Sequence, residues 1–152
     1  MAQDFTASQG AALWQARMED FLYDCAASAR AEQADRVREA AQLFARPHAD
    51  GLGLALRAPD VAAVEAMLAC GAIESAVLAL VSPEAGCLLS RGGNGVCLAS
   101  IVLPDGSEEV TAEGSTMALA LLAALVSAVL AGRAESRSAG AATRASLAER
   151  LN

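Results

Sequence analysis

The sequence predicts an α+β fold: a three-stranded antiparallel sheet covered by helices on both faces, an α/β/α sandwich, preceded by a long N-terminal helix or helical hairpin. Three observations carry this expectation. Residues 8–46 show apolar side chains at intervals of three and four. Two turn signals, Gly92-Gly93-Asn94-Gly95 and Pro104-Asp105-Gly106, separate three short strand-like runs. A run apolar nearly all round, Thr116 to Ala131, follows them.

At the start, Trp14, Met18, Phe21, Cys25 and Ala29 form one stripe, which resumes at Val37, Ala40, Ala41 and Phe44. Ser8 is the expected N-cap, and Pro47 ends the run because proline disfavours helix in the residue before it. No Gly or Pro lies between Gly10 and Pro47, which allows one helix, while the polar stretch around Glu32 and Gln33 allows a tight hairpin of two. His48–Arg57 reads as a loop with room for a short edge strand. Pro59 and Asp60 suit a first helical turn, Val61, Val64, Met67 and Leu68 give it an inner face, and Gly71 suits its C-terminal cap. Ile73, Ala76, Val77, Leu80 and Val81 have helical spacing, and Pro83 stops that run.

The predicted strands are 86–91, 96–103 and 108–112. Val96–Leu103 is apolar on alternate positions of both kinds, hence the expectation of cover on both faces. Glu108, Glu109 and Glu113 mark the third strand as an exposed edge. A hairpin loop of two or four residues would set Ser90 opposite Cys97 and Ser100 opposite Cys87, sending those two thiols to opposite faces. Four reduced, mostly buried thiols are expected. Ser115 is the expected cap of the last helix and Gly132 its end. The segments are then 1–47, an N-terminal helical part; 48–132, the sandwich domain; and 133–152, a disordered Arg-rich tail with four Arg against two Glu.

Composition removes several classes of function. The chain carries −7 at neutral pH, and its 11 basic residues are all Arg, so Schiff-base, P-loop and lysine-base chemistry have no residue to work with. No basic cluster faces a phosphate backbone, which argues against nucleic acid. MAQDFTASQG has no basic n-region and does not read as a secretory signal. Gly114–Gly132 is uncharged and approaches the roughly 20 residues that span a bilayer, but its alanine content favours a buried core helix. A cytoplasmic protein without membrane contact is expected.

No motif assembles a catalytic or metal centre. His48 is the only histidine and has no nucleophile paired with it. The four cysteines make no CxxC pair. Glu108 and Glu109, adjacent on a strand, face opposite sides and cannot act together. No catalytic residue, cofactor or metal is expected. With aromatics at only 3%, the bulky apolar side chains Trp14, Met18, Phe21 and Phe44 stand out as candidate interaction residues. They would meet either the chain's own sheet or a second copy in a homodimer.

The runs ESAVLALVSPEAG (Glu74–Gly86) and STMALALLAALVSAVLA (Ser115–Ala131) resemble the phage ABA sandwich family, small α/β/α domains encoded in phages and prophages. Ser75, Leu78, Val81 and Pro83 correspond to the Ser-x-x-Ala-x-x-Leu-Val-Pro run of that family, with Ser82 inserted. Thr116, Ala118, Leu119, Ala120, Ala124 and Leu125 correspond to its second run. The tryptophan that follows the proline in the family is absent here, with Cys87 near its place. The resemblance spans residues 73–131 and implies a fold and a phage or prophage origin, with no catalytic residue. The function expected is therefore a non-enzymatic small protein acting through protein–protein contacts. The alternatives are a small-molecule-binding domain or minor enzyme with a pocket near residues 48–57, and a phage membrane protein using the 114–132 helix.

Overall fold

The computed structural model describes residues 2–45, 56–104 and 109–150. It contains helices α1 (Ala2–Ala27), α2 (Gln33–Phe44), α3 (Val61–Ala69), α4 (Ile73–Leu78) and α5 (Met117–Arg150). Strands β1 (Gly86–Arg91), β2 (Cys97–Val102) and β3 (Val110–Gly114) form one antiparallel sheet in the order β1-β2-β3. The α+β class with a three-stranded antiparallel sheet is thus as expected.

The N-terminal stretch is a hairpin of two helices. It begins at Ala2, so Ser8 lies inside α1 instead of capping it. The break comes at Ser28–Ala29. Ser28 Oγ donates to Asp24 O (2.6 Å), bonding back into the last turn, and Ala29 N–H donates to the Glu32 carboxylate (2.8 Å). A 3₁₀ turn, Arg30–Glu32, then leads into α2. Arg17 to Glu39 (3.3 Å) and Arg36 to Asp24 (3.5 Å) tie the two helices together at the surface. Each such exposed pair contributes little by itself. Burial of Phe21, Met18, Val37 and Phe44 is the larger effect.

The middle helices follow their end signals. Asp60 is the N-cap of α3 and accepts from Ala63 N–H at 3.1 Å. Gly71, at φ +74°, closes α3: its N–H reaches Leu68 O and Ala72 N–H reaches Met67 O. Of the expected inner face, Val64 and Leu68 are buried, whereas Val61 at the first turn is exposed. The run after Gly71 is helical only to Leu78. Val81 instead bridges Leu56, and Arg57 N–H donates to Leu80 O (2.9 Å). The rest of the expected 48–57 loop, including His48, lies outside the described residues.

The β1–β2 register differs by one from the expectation. Gly92 N–H bonds Val96 O, which leaves three residues in the loop, Gly95 taking φ +84° and Asn94 Oδ1 accepting from Val96 N–H. Cys87 therefore lies opposite Ile101 and Cys97 opposite Arg91. Both thiols then share the inner face, at opposite ends of the hairpin, where opposite faces were expected. All four cysteines are free. β3 sits two residues later than expected and runs into Gly114.

Helix α5 is the organising element. Its residues 118–126 are buried throughout, with β2 and β3 against one side and α1, α2 and α4 against the other. Thr116, not Ser115, caps it: Thr116 Oγ1 accepts from Leu119 N–H (3.2 Å). Ser115 Oγ instead donates to Ser28 O (2.8 Å), pinning the end of α1 to the start of α5. Arg133 lies over the Trp14 ring, 4.9 Å from its centroid, so α1 and α5 run antiparallel.

Gly132 does not end the helix; α5 continues through the expected disordered tail to Arg150. The expected second helical cover is absent among the described residues. Helices lie against the inner face of Cys97, Ala99 and Ile101, while on the outer face Leu88 is 66% and Leu98 36% exposed. With the bulk of the buried apolar surface already on the inner side, Ser90, Ser100, Thr111 and Glu113 leave the outer face polar enough to stay wet.

Candidate functional site

The four residues singled out for interaction are core residues. Trp14, Met18, Phe21 and Phe44 are each less than 5% exposed. They pack between α1, α2 and α5 within one copy of the chain, and Trp14 Nε1 donates to Leu43 O at 3.2 Å. A partner cannot touch them while α1 stays docked. The exposed side of α1 carries Leu13 and Tyr23 among acidic residues instead.

One concave site among the described residues lies at the β3 edge of the sheet. The start of β3, with Glu109 just before it, lies along the middle of α5. Between them is a cleft of about 270 Å³ lined by Leu103, Val110, Ala128, Ala131, Gly132, Thr111, Glu109 and Glu135. Local sequence explains each wall. Leu103 follows the last residue of β2, and Val110 alternates inward along β3 onto α5. Ala128, Ala131 and Gly132 present little side-chain bulk on this part of α5, and a Cβ built on Gly132 meets no atom within 4 Å. The cleft exists because these small residues face an edge strand that no further strand covers among the described residues.

Glu109 and Glu135 stand at the cleft from the strand side and the helix side. Both are exposed, and neither makes a hydrogen bond or ion pair among the described residues. Thr111 is already engaged, its hydroxyl within 2.7 Å of Ser100 Oγ. This arrangement gives an apolar floor with unneutralised carboxylates, a setting that attracts a cation carried on an apolar stem. A shallower hollow lies at the other end of β3, lined by Ala26, Asn94, Gly95, Val96, Glu113, Gly114 and Ser115.

The Cys25 thiol is not an activated nucleophile. Burial pushes the Cys25 thiol from 9.0 up to about 12, with Arg36 only partly opposing it, so the thiolate that would attack is scarce at neutral pH. Cys70 is free and exposed. Groups of three or more His, Cys, Asp or Glu that would hold a metal are absent among the described residues.

Compared with known proteins, the chain matches no family model, no curated protein and no solved structure. The likeness of residues 73–131 to phage ABA sandwich domains therefore rests on the two motifs alone. The β3–α5 cleft was not legible beforehand. Glu109 stands out as an edge charge, but Glu135 lies in the stretch that reads as a tail, and no local signal joins residues 103–111 to residues 128–135.

Proposed function

We propose that this chain is a non-catalytic binding domain of phage or prophage origin, working in the cytoplasm through contact with another protein at the β3–α5 cleft. The observation that carries this reading is the pair of unneutralised carboxylates, Glu109 and Glu135, on a cleft with an apolar floor. Their charge selects a basic partner, and the chain's overall −7 reinforces that choice at long range. The phage or prophage origin rests on the motif resemblance.

The membrane alternative draws on the same helix. Met117–Ala142 is long and apolar enough to cross a bilayer, yet 61% of its most apolar window is buried inside the protein. That burial favours a core role for α5, because a helix cannot give the same face to lipid and to its own sheet.

The test is selection from a random peptide-display library against wild type and a Glu109→Arg/Glu135→Arg double variant, both folded by circular dichroism. Enrichment of basic sequences on the wild type, lost on the double variant, is expected. Equal enrichment on both proteins, or none on the wild type, refutes the cleft as the binding site.

A further inference from the structure

Resting on the reading of this cleft as a protein-binding site, we infer that its ligand is an extended, basic peptide segment that adds to the sheet as a fourth strand beside β3. The backbone bonding pattern leads to this. At the mouth of the β1–β2 hairpin Gly92 N–H bonds Val96 O, and the two registers then run without interruption. Hydrogen bonding alternates along an antiparallel strand, so even-numbered residues of β1 and β2 bond each other and Cys97, Ala99 and Ile101 bond β3. On β3 the inward-bonding residues are Val110, Ala112 and Gly114. Thr111 and Glu113 are left with N–H and C=O directed to the open edge, and both, with Glu109 just before the strand, are exposed.

An open edge beside a helix is the geometry of strand addition, in which main-chain bonds give affinity and alternate side chains give specificity. The alternation assigns each side chain of the incoming strand. Residues opposite Val110 and Ala112 fall on the inner face, and the one opposite Val110 enters the cleft between Leu103, Ala128 and Ala131. Residues opposite Glu109 and Glu113 fall on the outer face and meet those carboxylates, while Glu135, on α5 at the inner face, stands at the cleft beside the residue opposite Val110. Apolar and basic residues must therefore alternate in the ligand.

The same charges select against a second copy. Two β3 edges paired antiparallel would bring the Glu109 and Glu113 sets together, and like charges across a strand pair are unfavourable. The edge repels itself and admits a strand of opposite charge.

The probe is the acetylated, amidated peptide Arg-Val-Thr-Val-Arg, expected antiparallel to β3 and with a palindromic order that offers the same side chains in either direction, titrated into the ¹⁵N-labelled full chain at low salt. Expected are shifts at Val110–Glu113 and Ala128–Glu135, and slowed amide exchange at Thr111. N-methylating the threonine and one arginine, whose amides face β3, should weaken binding at least about tenfold. N-methylating the two valines, whose amides face solvent, should leave it nearly unchanged. A Thr111→Pro variant removes the edge N–H at a position where an edge strand tolerates proline, and it should lose the peptide while keeping the fold. If both N-methylated peptides bind like the parent while the Glu135 region still shifts, strand addition is refuted and the binding cleft stands. If no peptide moves any cleft resonance, the cleft reading falls with it. Appearance of a dimer through β3 without peptide also overturns the inference.

Discussion

Among the described glycines the least room for a side chain is at Gly114, the last residue of β3, against the first turns of α5, and it yields the sharpest test of how the fold is held. A Cβ placed on Gly114 would lie 2.5 Å from Ala120 N, 2.9 Å from Ala120 Cα and 3.0 Å from Leu119 C. These are main-chain atoms of a buried helix, so no side chain can swing aside to make room. Gly114→Ala therefore has to lift α5 off β3 by nearly 1 Å. A gap of that order forfeits a quarter to a half of each dispersion contact along the separated surfaces. Residues 118–126 of α5 are all buried, so the loss is spread over many contacts. Overpacking of this kind typically costs about 1–3 kcal/mol, and the rigid backbone here places it at the upper end, about 3 kcal/mol. For a chain of this length that is a fall of roughly 6–12 °C in Tm. Urea unfolding and a thermal melt of Gly114→Ala measure it, with Gly93→Ala as the control, since a Cβ there meets nothing within 4 Å. The control should stay within about 0.5 kcal/mol of wild type. A Gly114→Ala protein as stable as its control would refute the close approach of β3 and α5.

Three further expectations follow from the same packing. Trp14→Ala should lower stability by about 3–5 kcal/mol, because it empties a core site and removes the bond to Leu43 O, while light scattering shows an unchanged mass. Gly132→Ala should raise stability by about 0.5–1 kcal/mol in urea unfolding, since the residue lies inside α5 with open space at its Cβ position. The Cys25 thiol, pushed by burial from 9.0 to about 12, keeps its proton in the native state after the unfolded chain has released its own. Its contribution to stability is therefore complete below about pH 9 and is lost as pH climbs toward 12, with a slope up to about 1.4 kcal/mol per pH unit. Denaturation between pH 8 and 11 should show that decline in wild type and lose most of it in Cys25→Ala.

The sequence by itself determined the features that depend on a few neighbouring residues. Gly71 closes α3 because glycine takes positive φ without penalty, Asp60 caps the same helix, and the Gly92–Gly95 run turns the chain. The stripe from Trp14 to Phe44 marked a buried helical face, since a 3.6-residue period is a property of one segment. What only the tertiary structure decided are the relations between segments. A three-residue loop in place of two or four moved the β1–β2 register by one and brought Cys87 and Cys97 to the same face. Gly132 reads as a stop because glycine lowers helix propensity by about 1 kcal/mol, an amount that packing along a long helix overrides. The strand VCLASIVL carried apolar residues on both faces, but α5 and the helices stacked behind it bury the inner one, leaving Leu88 and Leu98 in solvent. The β3–α5 cleft belongs wholly to this second class: Glu109 and Glu135 are joined by chain folding alone, and a charge 26 residues away in sequence leaves no local trace of the neighbour it will have.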